Sequence, residues 1–128
     1  METVSLGAPE PILDSLPGDD DDARMDMREA VAGWERRIND AIDAADDEGE
    51  AVGYVLDAVE RIESRMERFD EFVPELRAWG QSPIYAISWR NLYAELIAQL
   101  YGHEELGDAL DRERNQRLVE DGIRFGDR

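Results

Sequence analysis

A short segment near the carboxyl end of the chain carries the side-chain types that read nucleic-acid bases. Residues 112–117 contain three Arg, one Glu, one Asn and one Gln, a net charge of +2 in a chain whose formal charge is −18. Arg, Asn and Gln can form bidentate hydrogen bonds with base edges. A small DNA-binding regulator is therefore one interpretation, with the contacts made by Arg112, Arg114, Asn115, Gln116 and Arg117.

The same segment is also typical of the solvent-exposed face of a last helix. The second helix of a helix-turn-helix unit needs inward apolar residues. Asp108 and Asp111 stand at two of those positions. Attraction to phosphate is also weak in concentrated salt. We therefore favour the exposed-face interpretation over DNA binding.

Carboxylates just upstream of this segment could hold a divalent cation. Glu105 and Asp108 are three residues apart on one predicted helix, and Glu95 lies on the helix before it. Carboxylate oxygens are ligands for Mg²⁺, which can engage the phosphates of a nucleotide. A Mg²⁺-dependent nucleotide hydrolase is therefore a third interpretation.

The stretch Glu104-Glu-Leu-Gly-Asp-Ala-Leu110 resembles part of the Glu-x-x-Asp motif of MazG-type all-α nucleotide pyrophosphohydrolases. The resemblance covers about seven residues, and it implies Mg²⁺ held by Glu and Asp residues of two neighbouring helices. The family's upstream Glu-Glu-x-x-Glu cluster is represented here by Glu95 alone. Residues 111–117 are polar where the family's helix continues with apolar residues. We assign no metal ligand and no catalytic residue.

Other kinds of catalytic site lack their residues. The chain has no Cys, which excludes thiolate catalysis, disulfides and Cys-ligated metals. His103 is the single His and no nucleophile motif accompanies it, whereas a di-iron bundle needs Glu-x-x-His on two helices. There is no Gly-rich phosphate loop. We expect a non-enzymatic protein without a cofactor.

The basic residues are unusual because all 14 are Arg, set against 32 acidic residues. Lys is common in soluble domains, so its absence predicts a halophilic setting, a cytoplasm with multi-molar salt. Carboxylates hold water and cations at such a surface, whereas the Lys stem exposes apolar methylenes. At about 1 M salt the Debye length is roughly 3 Å. The acidity is then an expected surface property and does not by itself indicate a basic partner.

The sequence predicts a cytoplasmic protein. Its first residues lack the charged and apolar regions of a signal peptide. No stretch approaches the roughly 18 apolar residues that a membrane-spanning helix needs. We therefore expect no membrane partner.

Residues 1–25 are predicted to form a flexible acidic arm that precedes a single helical domain at 26–128. Pro9, Pro11, Pro17 and Gly18 interrupt regular structure, and residues 19–22 are all Asp. An alternative remains open, in which this segment docks one short turn onto a groove through Ile12, Leu13 and Leu16.

Regular apolar spacing predicts a long antiparallel helical hairpin at 26–73. Two stripes recur every three or four residues, separated by the polar stretch 46–50. The first consists of Met27, Val31, Trp34, Ile38, Ala41 and Ala45, and the second of Val52, Val55, Val59, Ile62, Met66, Phe69 and Val73. Pro74 is expected to end the second helix.

A third helix is predicted at about 83–101, with Ser82 as N-cap and Pro83 in the first position. It is apolar over more than half of its circumference, and a fourth helix begins near Leu106. No strand alternation appears, so the fold class is all-α, a helical bundle of about four helices including coiled-coil-type seams.

The broad apolar face of the third helix predicts a protein–protein interaction surface. Its candidate contact residues are Tyr85, Trp89, Tyr93 and Tyr101. We therefore favour a non-enzymatic interaction or adaptor module that self-associates or binds a protein partner. Nucleic acid is the less favoured partner.

Overall fold

The computed structural model describes residues 1–126, and in that range it contains helices and no strand. The five helices are α1 (Glu10–Asp14), α2 (Asp21–Ala44), α3 (Glu48–Ala78), α4 (Ile84–Tyr101) and α5 (Glu104–Gly126). The predicted all-α fold class is confirmed, with the short α1 added to four longer helices. No helix in this range is both long and apolar enough to cross a membrane.

Acidic residues begin the two longest helices. The side chain of Asp20 accepts a hydrogen bond from the backbone N–H of Ala23 at 3.0 Å. Asp47 accepts one in the same way from Glu50 at 2.8 Å. Each carboxylate satisfies a backbone donor that has no partner within the helix, and it also complements the positive end of the helix dipole.

The predicted apolar stripes of α2 and α3 form the core. Met27, Val31, Trp34 and Ile38 of α2 are buried, as are Val52, Val55, Val59 and Ile62 of α3. Trp34 lies near Arg65, and Ala44 shares a hollow with Tyr54, so the two helices run in opposite directions. Full burial of such a side chain contributes about 1.5–3 kcal/mol.

Helix α3 does not end at Pro74, contrary to the sequence prediction. It continues to Ala78, and Gly80 with φ of 71° ends it. Gly80 N–H donates to the carbonyl of Arg77 at 3.1 Å and Gln81 N–H to that of Leu76 at 2.9 Å. These are the two hydrogen bonds of a Schellman motif, which requires a left-handed residue. Pro74 is exposed, so water can reach the carbonyl that it leaves without a donor.

Helix α4 begins one residue later than predicted. Its first residue is Ile84, preceded by Pro83, and the Oγ of Ser82 accepts from the Ile84 N–H at 3.4 Å. One side of α4 packs on α3 through the fully buried Leu92, Leu96 and Leu100. Helix α1 also contacts α4, and Ser15 at the end of α1 forms a hydrogen bond with Ser88 of α4 at 2.8 Å. The broad apolar face is therefore partly covered from within the chain.

The amino-terminal segment packs against the bundle, which differs from the expected flexible arm. Leu13 and Leu16 are buried together with Val4, and α1 supplies the short docked turn of the alternative interpretation. The guanidinium of Arg24 donates to the carbonyls of Leu13 (3.1 Å) and Pro17 (3.3 Å) and so closes the turn between α1 and α2. Apolar burial outweighs the local preference of Pro and Gly for a solvated chain.

Two side-chain amides hold the extended part of this segment by its backbone. Asn39 of α2 accepts from the N–H of Val4 at 2.7 Å and donates to the carbonyl of the same residue at 2.9 Å. Gln99 of α4 pairs with Gly7 in the same way, at 2.9 and 2.8 Å. Each amide thus presents a donor and an acceptor side by side, as a neighbouring strand would.

The paired amides yield a first prediction. Replacing Asn39→Ala removes both hydrogen bonds to Val4, and each such bond is worth about 0.5–1.5 kcal/mol. We expect faster amide hydrogen exchange at residues 1–8 and faster proteolysis before α1, while α2–α5 stay protected. Asn115→Ala is the matched control, since Asn115 is an exposed helical Asn. Equal exchange of residues 1–8 in both variants would contradict the role of Asn39.

The crowded surroundings of Gly107 yield a second prediction. A Cβ on Gly107 of α5 would clash with the carbonyl oxygen of Tyr101, whereas a Cβ on Gly33 meets nothing within 4 Å. We expect Gly107→Ala to lower the free energy of unfolding by about 2 kcal/mol or more, because backbone must move. Gly33→Ala should raise it by about 0.5–1 kcal/mol through helix propensity. Urea denaturation of both variants distinguishes these signs.

Candidate interaction surface

The predicted nucleic-acid residues do not share one open basic face. Arg117 reaches across to α3, where its guanidinium lies 3.0 Å from Asp57 and 3.2 Å from Glu60. It also pairs with Glu113 at 3.3 Å and donates to the carbonyl of Gly53 at 3.2 Å. Arg114 pairs with Glu63 of α3. Carboxylates thus already occupy these two guanidinium groups, while Arg112, Asn115 and Gln116 are exposed.

These pairs determine the ionisation of the two arginines. Burial disfavours the charged guanidinium of Arg114, but the hydrogen bond and charge of Glu63 outweigh it and raise its pKa. For Arg117 the opposing effect of burial is likewise outweighed, mainly by Asp57, and the pKa is raised. Both groups stay charged at any physiological pH and act as cross-links between α5 and α3.

Two of the three carboxylates considered for Mg²⁺ binding, those of Glu105 and Asp108, line an open hollow of ≈ 710 Å³ near the start of α5. Glu105 and Asp108 are exposed in it, together with Arg112, whose positive charge competes with a cation. Glu95 is not among the lining residues. In the described part of the chain, no three His, Cys, Asp or Glu side chains are grouped so that they could hold a metal ion.

Of the four aromatic residues predicted for interaction, two mainly join α3 to α4. Tyr93 is buried between Phe69 and Trp89, with ring centroids 5.9 and 6.0 Å away. Trp89 is half-buried. Aromatic pairs at these distances contribute about 0.5–1.5 kcal/mol beyond their burial. These rings stabilise the fold, and most of their surface is not free for a partner.

Tyr85 lies at the surface and ties α4 to the segment before α2. Its hydroxyl donates a hydrogen bond to Asp20. That bond lowers the pKa of the Asp20 carboxyl and raises the pKa of the Tyr85 phenol, because it favours the charged acid and the protonated phenol. The ring remains accessible and its orientation is set by the bond.

Exposed apolar side chains gather where α3 ends and α4 begins. We call this surface the aromatic end, and it consists of Phe72, Trp79, Ile84 and Tyr85. The side chain of Trp79 is 65% exposed and that of Phe72 is 43% exposed, yet their rings meet edge to face with centroids 6.4 Å apart. Tyr85 is among the contact residues predicted from the sequence, whereas Trp79 is not, because the helix is expected there to end at Pro74. A helix that reaches Ala78 brings Phe72 and Trp79, seven residues apart, onto one face.

A second surface follows the groove between α2 and α3. A hollow of ≈ 290 Å³ there is bordered by Tyr54, Arg37 and Arg61, and its floor includes Ala41 and Ala58. Arg65 and Arg68 line another hollow, of ≈ 450 Å³, together with Phe72 of α3 and Tyr93 of α4. We call this surface the arginine groove, and its four groove arginines are Arg37, Arg61, Arg65 and Arg68.

Tyr101 yields a third prediction. Its hydroxyl is buried with no hydrogen-bond partner in the described part of the chain, and burial raises its pKa. A buried polar group without a partner costs about 1–3 kcal/mol. Tyr101→Phe should therefore leave the free energy of unfolding unchanged or raise it by about 1 kcal/mol, since the ring still faces Arg114 with 5.6 Å between guanidinium carbon and ring centroid. A loss above about 1 kcal/mol in urea denaturation would contradict this reading.

Neither the curated proteins nor the solved structures contain a match to this chain. A family model matched the chain over residues 1–127, nearly its whole length. The chain therefore belongs to DUF7971, a family of unknown function.

Proposed function

We propose that the chain is a non-enzymatic protein–protein interaction module that associates with a second copy of itself through the aromatic end. The observation that carries this proposal is the exposure of Trp79 and Phe72 as one contacting pair, shortly before Ile84 and Tyr85, which are also exposed. Trp and Tyr are enriched among the residues that dominate binding energy at protein interfaces. An exposed aromatic cluster at one end of a bundle is therefore a natural contact surface.

The position of the aromatic end also favours binding. Trp79 follows the last residue of α3, and its N–H donates to the carbonyl of Glu75 at 3.0 Å. Tyr85 is held by Asp20 across the same end of the bundle. Because the fold already constrains these groups, an interface would lose less conformational entropy on forming.

Charges around this surface are mixed, which suits contact between two copies. Asp70 and Arg90 form an ion pair at 3.1 Å, and Glu75 and Arg77 both lie within one turn before Trp79 in the sequence. A two-fold contact brings the same patch of both copies together, so both charge signs must be present if repulsion is to be avoided.

A high-salt cytoplasm, proposed from the absence of Lys, would promote this association. Two chains of net charge −18 repel each other at low ionic strength. Concentrated salt screens that repulsion and strengthens the burial of apolar surface. The proposed dimer should therefore tighten as salt rises, which is the opposite of an association driven by charge.

The DNA-binding alternative has less support, because Arg114 and Arg117 already form ion pairs with carboxylates of α3. The nucleotide hydrolase alternative has less support because Glu95 does not line the hollow that holds Glu105 and Asp108. Neither alternative gains a specific observation comparable to the exposed aromatic pair.

The aromatic end yields a fourth prediction. Trp79→Ser removes the largest exposed apolar side chain and should weaken dimerisation by about 2 kcal/mol or more, a typical effect of removing a dominant interface aromatic. Sedimentation equilibrium in about 0.2 M and about 2 M KCl measures both this loss and the salt dependence.

Val119→Ser is the matched control, because Val119 of α5 is also an exposed apolar residue, at 60%, but does not belong to the aromatic end. It should dimerise like the unaltered chain. A monomer under all salt conditions, or a dimer weakened by Val119→Ser and untouched by Trp79→Ser, would overturn the proposal.

A further inference from the structure

The groove arginines are unusual in a chain with more than twice as many acids as bases. Arg61, Arg65 and Arg68 follow one another at spacings of four and three along α3, and Arg37 of α2 faces them across the groove. Like charges one turn apart destabilise a helix. All three side chains of α3 are exposed, so no burial offsets that cost.

The groove arginines have no carboxylate within ion-pair distance in the described part of the chain. The reason lies in α5. Asp57, one turn before Arg61, and Glu60 bond Arg117 of α5 instead. Glu63 bonds Arg114. These three carboxylates are therefore already paired with α5, although Asp57 also lines the hollow that Arg61 borders.

Trp34 holds two of the groove arginines in place. The guanidinium carbons of Arg37 and Arg65 lie 5.2 and 5.3 Å from the centroid of its buried ring. A guanidinium over an aromatic ring is attracted through its flat face. Its N–H groups lie at the edge and remain available for bidentate bonds to a carboxylate. These two side chains are therefore ordered before any partner arrives.

We propose that the arginine groove binds an acidic amphipathic helix of a partner protein. The small side chains of Ala41 and Ala58 allow the apolar stripe of the partner to approach, and the groove arginines take carboxylates on its flank. The stretch of α3 from Tyr54 to Phe72 would accommodate a partner helix about 27 Å long, at 1.5 Å per residue. Such helix-in-groove binding repeats its contacts every three or four residues, as the arginines of α3 do.

Charge selects this occupant over two others. A second copy seated symmetrically in the same groove would place its own arginines against these, which like-charge repulsion opposes. A nucleic-acid strand would pass the acids on the outer flank of α3, among them Glu67 and Glu71. Phosphates would be repelled there, whereas a helix presents its carboxylates only along one stripe.

The proposal rests on the chain being an interaction module. Its surface adjoins the aromatic end at Phe72, but it is tested through the groove arginines, none of which belongs to that end. A displayed library of single helices about 20 residues long, with Glu, Gln, Lys, Leu and Ala at variable positions, is selected against the unaltered chain in about 1 M KCl. Binders are then measured on the variant Arg61→Gln/Arg65→Gln/Arg68→Gln. The control variant Arg28→Gln/Arg36→Gln/Arg112→Gln removes the same charge from exposed positions outside the groove.

We expect selected helices with Glu repeating every three or four residues beside an apolar stripe. Their affinity should fall about tenfold or more on the groove variant and less than about twofold on the control. No enrichment of Glu, an equal loss on both variants, or binding of a single-stranded oligonucleotide in place of helices would overturn the proposal. Circular dichroism checks that both variants keep the helical fold.

The two proposals can fail separately. Trp79→Ser should leave helix binding intact, and the groove variant should leave the sedimentation of the dimer intact. Loss of self-association with retained helix binding would remove the proposed function at the aromatic end only. Retained self-association without selected helices would remove the arginine groove only.

Discussion

The arrangement of the long helices depends on the burial of one face of α3. Val55, Leu56, Val59 and Ile62 are fully buried, and α3 contacts each of α2, α4 and α5. Because the other long helices all pack against α3, their positions around α3 decide which of its other residues are exposed to solvent. Arg61, Arg65, Arg68 and Phe72 are among the residues of α3 that its neighbours leave exposed, and Trp79 follows its last residue.

The packing of α5 against α3 then decides which acidic residues of α3 form ion pairs with α5. Alternating acids and arginines along α3 would normally pair within the helix, and such pairs contribute only about 0.2–0.5 kcal/mol each. Arg114 and Arg117 of α5 compete successfully for these acids because a guanidinium held between helices can bond several acceptors at once. The consequence is that α5 holds these acids, while Arg61, Arg65 and Arg68 keep no ion-pair partner among the described residues.

Much of the fold could be predicted from the spacing of apolar residues. The stripes around Trp34 and Ile62 recur every three or four residues over many turns, and that period leaves little choice but buried helices. The amino-terminal segment could not be predicted in the same way, because Asn39 and Gln99 hold it by its backbone, and backbone contacts leave no pattern in the sequence of the segment. Its Pro and Gly content indicates a mobile chain, whereas the segment is held against the bundle because the side chains of Val4 and Leu13 are buried.

The candidate surfaces were harder to predict than the core for a related reason. Whether a side chain is exposed depends on which other parts of the chain cover it, and therefore on the whole fold. Tyr93 and Trp79 are both aromatic and both adjoin the α3–α4 pair, yet one is buried and the other is open to solvent. The end of α3 decides the difference, since Gly80 stops the helix one turn beyond Pro74 and Trp79 stands just after its last residue, where its side chain stays exposed. In this strongly acidic chain, the residues that we propose for recognition are therefore apolar and basic groups that folding leaves exposed.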